Sequence, residues 1–396
     1  MSGAKKTALI STLYTQAHGG VYTKLSFLVQ TLQEMGFIVK LAYYMPYSVK
    51  PELSVPFKKI GRKKINAFHF TGELGVEEYA IGAFLPELEF TTYYPTEAWK
   101  KLITESDVHL VVSGHILSAM PFYRMKKKYV AWIGTAYGED RQDRIKTFPW
   151  YRQWIDYFFI SRIGERLEKK LLRAGKVFSV SQYTKRQLNR ASEQIRGVIP
   201  VPIDTHLFFP ADEKVQPGLI CFTGRFLDPR KNTDLLFHAF SIVLKKINDA
   251  KLCLIGDDMT PALSEKLERL GIRSQVEVLH YISRSELVSK LQQADVFVIP
   301  SYQEGLCISG LEALATGCPV VSTKCGGPSD YVIDGENGYL TDIDSADFAN
   351  KIIQICENRT LRKKMSENAL KIIQENYSIE TVKKKWISVL EQEFPQ

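Results

Sequence analysis

No stretch of this 396-residue sequence approaches the roughly 18–20 consecutive apolar residues needed to cross a bilayer, so no membrane-spanning helix is expected. Met1 to Lys6 contains no apolar core of the kind a secretory leader carries. Cysteine is scarce: Cys221, Cys253, Cys307, Cys318, Cys325 and Cys356 all lie in the second half, and none forms a C-x-x-C pair. Scattered through apolar segments, they read as reduced structural thiols, which favours a cytoplasmic location over a disulfide framework. Low-complexity tracts and short-period repeats are absent too, so disorder and solenoid arrays are not expected.

What is present is an ordinary 45% hydrophobic content, enough for two cores at this length. The net charge of +8 is divided unevenly. Residues 1–200 hold 30 Lys+Arg against 17 Asp+Glu, a net +13, and residues 201–396 hold 22 against 27, a net −5. The basic half suits an anionic membrane surface or a phosphate-bearing partner, or is a solvated face. No nucleic-acid motif accompanies it.

Thr7–Thr12 reads as a strand, followed by a loop ending in Gly19-Gly20. Val21, Leu25, Leu28, Leu32 and Met35 then recur at helical spacing up to Gly36, and Phe37–Tyr44 reads as the next strand. Strand, glycine loop, helix, strand is the unit of a nucleotide-binding parallel sheet. Further strands are expected at Val108–Val112, Val130–Ile133 and Val177–Val180; residues 45–95 yield no clear assignment. Pro200, Pro202 and Pro210 bracket a segment expected to be an extended linker. Beyond it come strands at Leu219–Thr223, Lys251–Ile255, Val276–Leu279, Val296–Ile299 and Val320–Ser322. Helices are expected near 232–248, 261–271, 284–293, 308–316, 345–357, 359–375 and 379–393. The fold class is therefore α/β, with two tandem Rossmann-like doubly wound domains facing a central cleft.

Two stretches carry the chemistry. Glu304-Gly305-Leu306-Cys307-Ile308-Ser309-Gly310-Leu311-Glu312 follows a buried strand and opens a helix. Carboxylates accept paired hydrogen bonds from vicinal hydroxyls, and Gly305 with the amides of a helix start suits a diphosphate. By spacing alone, a capping acid and a surface acid explain the two glutamates better; the wider context reverses that. Gly224-Arg225-Phe226-Leu227-Asp228-Pro229-Arg230-Lys231-Asn232 follows the first strand of the second half. There Arg225 and Lys231 would clamp a diphosphate and stabilise the charge growing on it as a sugar leaves.

Together these stretches resemble family 4 of the retaining glycosyltransferases, which have the GT-B fold. The Gly19-Gly20 loop, Gly224-Arg225 with Lys231-Asn232, Glu304 and Glu312, Ala315-x-Gly317-x-Pro319, Gly326-Gly327-Pro328 and Asn337-Gly338 carry the resemblance. It is dense over 218–345 and thin over 45–105. The resemblance implies an acceptor-binding domain over 1–199, a linker over 200–210, and a nucleotide-sugar-binding domain over 211–375. A last helix within 376–396 would cross back to the first domain. It implies that Glu312 holds the ribose, Glu304 the donor sugar, and Arg225 and Lys231 the diphosphate. Gly19 and Gly20 would approach the phosphates. Gly256 and His280-Tyr281-Ile282 would seat the base, and Gly305, Leu306, Cys307 and Ile308 would line the donor site. His280-Tyr281 replaces the family's usual Gly-x, which leaves the base open. Cys307-Ile308-Ser309 departs from the usual residues, which leaves the sugar open.

The family often places a histidine after the strand that here ends in Gly134-Thr135-Ala136-Tyr137. His115 is the alternative sugar contact, or else a structural histidine. His18 lies beside the glycine loop. Asp342-Ile343-Asp344 reads as a loop with an N-cap rather than a metal site. No metal is expected, because Lys231 and Arg225 supply the positive charge. Trp150–Lys176 mixes aromatics with Arg and Lys, suiting either an interfacial or a core-packed helix. The function implied is retaining, metal-independent transfer of a hexose or N-acetylhexosamine, with a UDP-sugar favoured, to a glycan, glycolipid or wall-polymer hydroxyl. An epimerase or phosphorylase on the same fold, or a non-catalytic partner subunit, remains the alternative.

Overall fold

The structure is a computed structural model, and it describes residues 5–14, 19–62, 64–88, 91–139, 149–156, 160–211 and 215–395. The chain divides into two compact units: Met1–Val201 with Lys383–Gln396, and Pro202–Val382.

The first unit is built on eight strands among the described residues: β1 Thr7–Leu13, β2 Ile38–Tyr44, β3 Ala67–Thr71, β4 Glu77–Ile81, β5 Val108–Ser113, β6 Val130–Ile133, β7 Lys176–Ser179 and β8 Ile195–Val198. Their order is β3-β4-β2-β1-β5-β6-β7-β8. All neighbours run parallel except β3 and β4. Those two strands lie within the stretch 45–95 that the sequence left unassigned. The reason is visible in their burial: every residue of β3 is exposed or half-buried, so no apolar alternation marks it. β5 and β6, by contrast, are buried throughout, as strands covered on both faces should be. Trp132 of β6 donates its ring N–H to the Ile199 carbonyl at 2.7 Å and packs edge-on against Trp386 of the helix Ile379–Glu393 at 5.0 Å.

The second unit holds β9 Leu219–Gly224, β10 Lys251–Gly256, β11 Val276–His280, β12 Val296–Ile299, β13 Val320–Thr323 and β14 Gly338–Thr341. They form one parallel sheet in the order β11-β10-β9-β12-β13-β14. Ile220, Leu252, Leu254, Val296 and Val298 pack with Phe237 and Phe240 of the helix Thr233–Val243 and with Ile352 of the helix Ser345–Glu357. The helix expected over 232–248 closes at Val243; the chain then turns through Leu244 to Ile247. The segment expected to be an extended linker turns at Asp204, whose carboxylate accepts the His206 and Leu207 amides.

In each sheet the strand order reverses at one place, beside β1 in the first and beside β9 in the second. In open α/β sheets, ligands bind at the carboxyl ends of the strands at such a point.

Candidate active site

In the second unit the reversal lies between the carboxyl ends of β9 and β12. Gly224 ends β9 at φ 137, and Asp228 caps a short 3-10 turn, Pro229–Lys231, by accepting the Arg230 amide. Asn232 follows at φ 48, a left-handed position that starts the helix Thr233–Val243. This path sends Lys231 towards the loop after β12. Its Nζ donates to Glu304 Oε1 at 2.7 Å, and the Ser301 hydroxyl donates to the same oxygen at 2.8 Å. The backbone of Glu304 is fixed on both sides: its amide donates to Cys325 O at 2.8 Å, and its carbonyl accepts the Gly327 amide at 2.9 Å. The two side chains are only 16% and 14% exposed. Burial pulls the Lys231 pKa down, but the neighbouring Glu304 carboxylate more than reverses that, and the net shift is upward. The site therefore holds a charged lysine locked to a carboxylate.

The helix Ile308–Ala315 begins just beyond. Cys307 sits at its N-cap with φ 63, and no side chain caps it. Its first turn thus presents backbone N–H groups to an anion. The left-handed Cys307 is held by the Tyr331 hydroxyl, which donates to its carbonyl at 2.9 Å. A Cβ on Gly310 would lie 2.3 Å from the same hydroxyl, so any larger residue there would displace Tyr331. Burial pushes the Cys307 thiol up to about 11, so it stays protonated. Leu306 is buried beside it, and Gly305 approaches Gly327 so closely that a Cβ on Gly327 would meet the Gly305 carbonyl oxygen at 2.5 Å. Glu312 stands within the same helix; burial raises its pKa to about 7, with Arg284 at 3.8 Å pulling the other way.

The remaining residues expected in the donor site lie nearby in the sheet. Arg225 is 71% exposed and paired with Asp228 at 3.2 Å rather than with the Lys231–Glu304 pair. Gly256 ends β10 directly opposite Gly224, and a Cβ there would stand 2.2 Å from the Gly224 carbonyl oxygen. His280 ends β11, with Nδ1 3.1 Å from Asp258. Tyr281 has φ 38, is 75% exposed and meets the His280 ring edge-on at 4.3 Å; Ile282 is half-buried. Asp257 accepts the Leu227 amide at 2.7 Å, and Asp344 caps the helix Ser345–Glu357 through the Asp347 amide. Among the described residues no group of three or more His, Cys, Asp or Glu side chains is placed to hold a metal ion.

In the first unit the reversal lies beside β1. Gly19, at φ 92, is the N-cap of the helix Gly20–Glu34, again without a side-chain cap. His18 lies outside the described residues. His115 follows β5, is buried, and accepts the Leu117 amide on Nδ1 at 3.4 Å, with Tyr137 edge-on at 5.7 Å. Both groups belong to the packing of the first sheet. The exposed side chains at 150 and 154 are tryptophans, and the helix Ser161–Ala174 shows Arg162, Arg166, Lys169, Lys170 and Arg173 to solvent. Burial of Glu168 within that helix raises its pKa to about 7, and it accepts the Tyr137 amide at 2.8 Å.

The sequence reading did not single out Ser301, Arg284 or Lys24. Ser301 and Arg284 carry no pattern of their own. Lys24 does: it lies four and eight residues before Leu28 and Leu32, on the apolar side of its helix. Its Nζ is buried, donating to the carbonyls of Ser113 at 2.6 Å and Trp132 at 3.3 Å, with no carboxylate among its partners in the described residues. Burial lowers its pKa to about 7.

Residues 205–372 match the family model of glycosyl transferases, group 1. An uncharacterized glycosyltransferase of Methanocaldococcus jannaschii is 31% identical over 197 residues, which are 49% of this chain and 53% of that protein. The match therefore spans about half the length of that relative. The sucrose-phosphate synthase of Thermosynechococcus elongatus superposes with TM-score 0.75 over 99% of both chains at 18% identity. Anabaena HepE, in complex with UDP-glucose, superposes with TM-score 0.70 at 16% identity over 97% of this chain and 99% of that one. The chain has the GT-B fold, and its residues 205–372 are a group 1 glycosyl transferase domain. Lys231, Glu304 and Glu312 all fall inside that group 1 domain, as do Arg225, Gly256 and His280.

Proposed function

We propose that the chain is a glycosyltransferase that moves a hexose or N-acetylhexosamine from a nucleotide-diphosphate sugar to a hydroxyl acceptor, with retention and without a metal. The observation that carries this reading is the 2.7 Å Lys231–Glu304 pair beside an uncapped helix N-terminus. A donor diphosphate would take its place against that helix start and Lys231. The lysine is already charged and already oriented, so it meets the charge that grows on the leaving phosphate without reorganisation. Glu304 would accept hydrogen bonds from the sugar hydroxyls, and Glu312 from the ribose pair. No side chain stands in the role of a covalent nucleophile in this reading. The leaving phosphate would take the acceptor proton as the acceptor attacks from the face it leaves.

A UDP-sugar is the favoured donor, supported by the UDP-glucose bound to Anabaena HepE. A glycan, glycolipid or wall polymer is the favoured acceptor class. The exposed cations of the helix Ser161–Ala174, with Trp150 and Trp154, support peripheral contact with an anionic membrane at its cytoplasmic face. Incubating the chain with the UDP-, GDP- and ADP-linked forms of hexoses and N-acetylhexosamines, with metal chelated, tests the donor reading. Release of one nucleotide diphosphate, with retained configuration in the sugar product by NMR, is expected. Consumption of none of the three overturns it.

A further inference from the structure

We propose that the rim of the second sheet carries a groove for a neutral oligosaccharide, centred on Tyr302 and beside, but not lined by, Lys231, Glu304 and Glu312. Tyr302 lies in the loop after β12. Its amide donates to the Arg230 carbonyl at 2.8 Å, which fixes the backbone, while the residue is 56% exposed. Two hollows adjoin it, and Tyr302 lines both. One, of about 440 Å³, lies against Phe226, Asn232, Asp234, Phe237 and Lys266. The other, of about 250 Å³, lies against Ser301, Thr323, Lys324, Asp342 and Ile343. The larger falls within the roughly 300–1,000 Å³ of ordinary ligand sites. Lys231, Glu304 and Glu312 line neither.

The charges of the walls decide the ligand class. Lys266 pairs with Asp234, and Lys324 pairs with Asp342 at 3.0 Å. Asp228, at the edge of the larger hollow, is held by Arg225 and Arg230. Neither hollow therefore offers a lone cation to a phosphate or a lone carboxylate to an amine. Paired lysine and aspartate side chains instead present donors and acceptors side by side, which suits hydroxyls that both donate and accept. Between the hollows stands a rigid aromatic ring, apolar on its faces and polar at its tip. A pyranose combines an apolar C–H face with a rim of hydroxyls, so a chain of sugars would lay one ring against Tyr302 and its neighbours into the two hollows. Buried Asn232 adds an amide Nδ2 that has no hydrogen-bond partner in the structure, in the wall of the larger hollow.

Calorimetric titration of the full chain with maltotetraose, cellotetraose and chitotetraose tests the proposal without calling on the transfer reaction. Saturable binding of at least one is expected. Tyr302→Ala should weaken it about tenfold, and Tyr302→Trp should retain it. Glu312→Gln, which touches the donor site alone, should leave it unchanged. Absence of saturable binding for all three sugars overturns the groove. Binding that survives both Tyr302→Ala and Asp234→Ala overturns it as well, and neither result bears on donor use.

Discussion

Each of the two sheets places a lysine where its strand order reverses, and the two lysines are treated in opposite ways. Lys231 meets the Glu304 carboxylate at 2.7 Å and keeps its charge. Lys24 donates to the carbonyls of Ser113 and Trp132 and stands over the Trp132 ring, and burial draws its pKa down to about 7. Both follow the central strand of a doubly wound sheet, and both lie near an uncapped helix start. The shared winding sets where a lysine stands; the partner it finds sets what it can do. A paired ammonium is a fixed positive charge for a phosphate, whereas a carbonyl-bound one ties the ends of β5 and β6 together and titrates near neutrality.

Gly256→Ala tests the second sheet hardest. Its Cβ would stand 2.2 Å from the Gly224 carbonyl oxygen at a φ of 147. The strand ends that aim the loop of Lys231 would have to part. A loss of roughly 1–3 kcal/mol is expected in chemical denaturation. Unchanged stability would mean that β9 and β10 do not meet as described.

Lys24→Met tests the first sheet. Between its lowered folded pKa, about 7, and its ordinary value of 10.5, the unfolded chain binds a proton at Lys24 that the folded chain does not. Stability from this group therefore rises as pH increases through that window, by at most about 1.4 kcal/mol per pH unit. Denaturation at pH 7 and pH 9.5 should show wild type gaining on Lys24→Met as pH rises. A constant gap would place the lysine in contact with solvent or a carboxylate.

The smallest expected effect concerns Glu312. Its carboxyl titrates near 7, and only the ionised form accepts hydrogen bonds from both ribose hydroxyls. Nucleotide affinity should fall severalfold from pH 8 to pH 6 in wild type and stay level in Glu312→Gln. Equal pH profiles would remove Glu312 from the ribose role.

Much of the fold is legible in the sequence, and the gaps have physical reasons. Wholly buried strands such as β6 and β12 announce themselves as apolar runs, and their bounds match the expectation residue for residue. The β3–β4 hairpin does not, because β3 is exposed or half-buried throughout and β4 buries only Ala80 and Ile81. β14 hides because it is four residues long and opens on a glycine, leaving only Tyr339 and Leu340 as large apolar residues. In the site, the glutamate spacing and Lys231 were visible as a set, but the direct ion pair was not, since it joins loops 73 residues apart. Arg225 stood out by sequence yet rests on Asp228. Lys24 does not stand out because a lysine is expected on the solvent side, although its i+4 and i+8 neighbours are leucines.

The central claim is that the ion pair in the group 1 domain runs the donor chemistry. Nucleotide-diphosphate release by wild type, Lys231→Ala and Glu304→Ala, each with its fold checked by circular dichroism, tests it most directly. The account predicts release by wild type and a loss of at least about 10²–10³-fold in both variants while they remain folded. Release at the wild-type rate from either folded variant would contradict it.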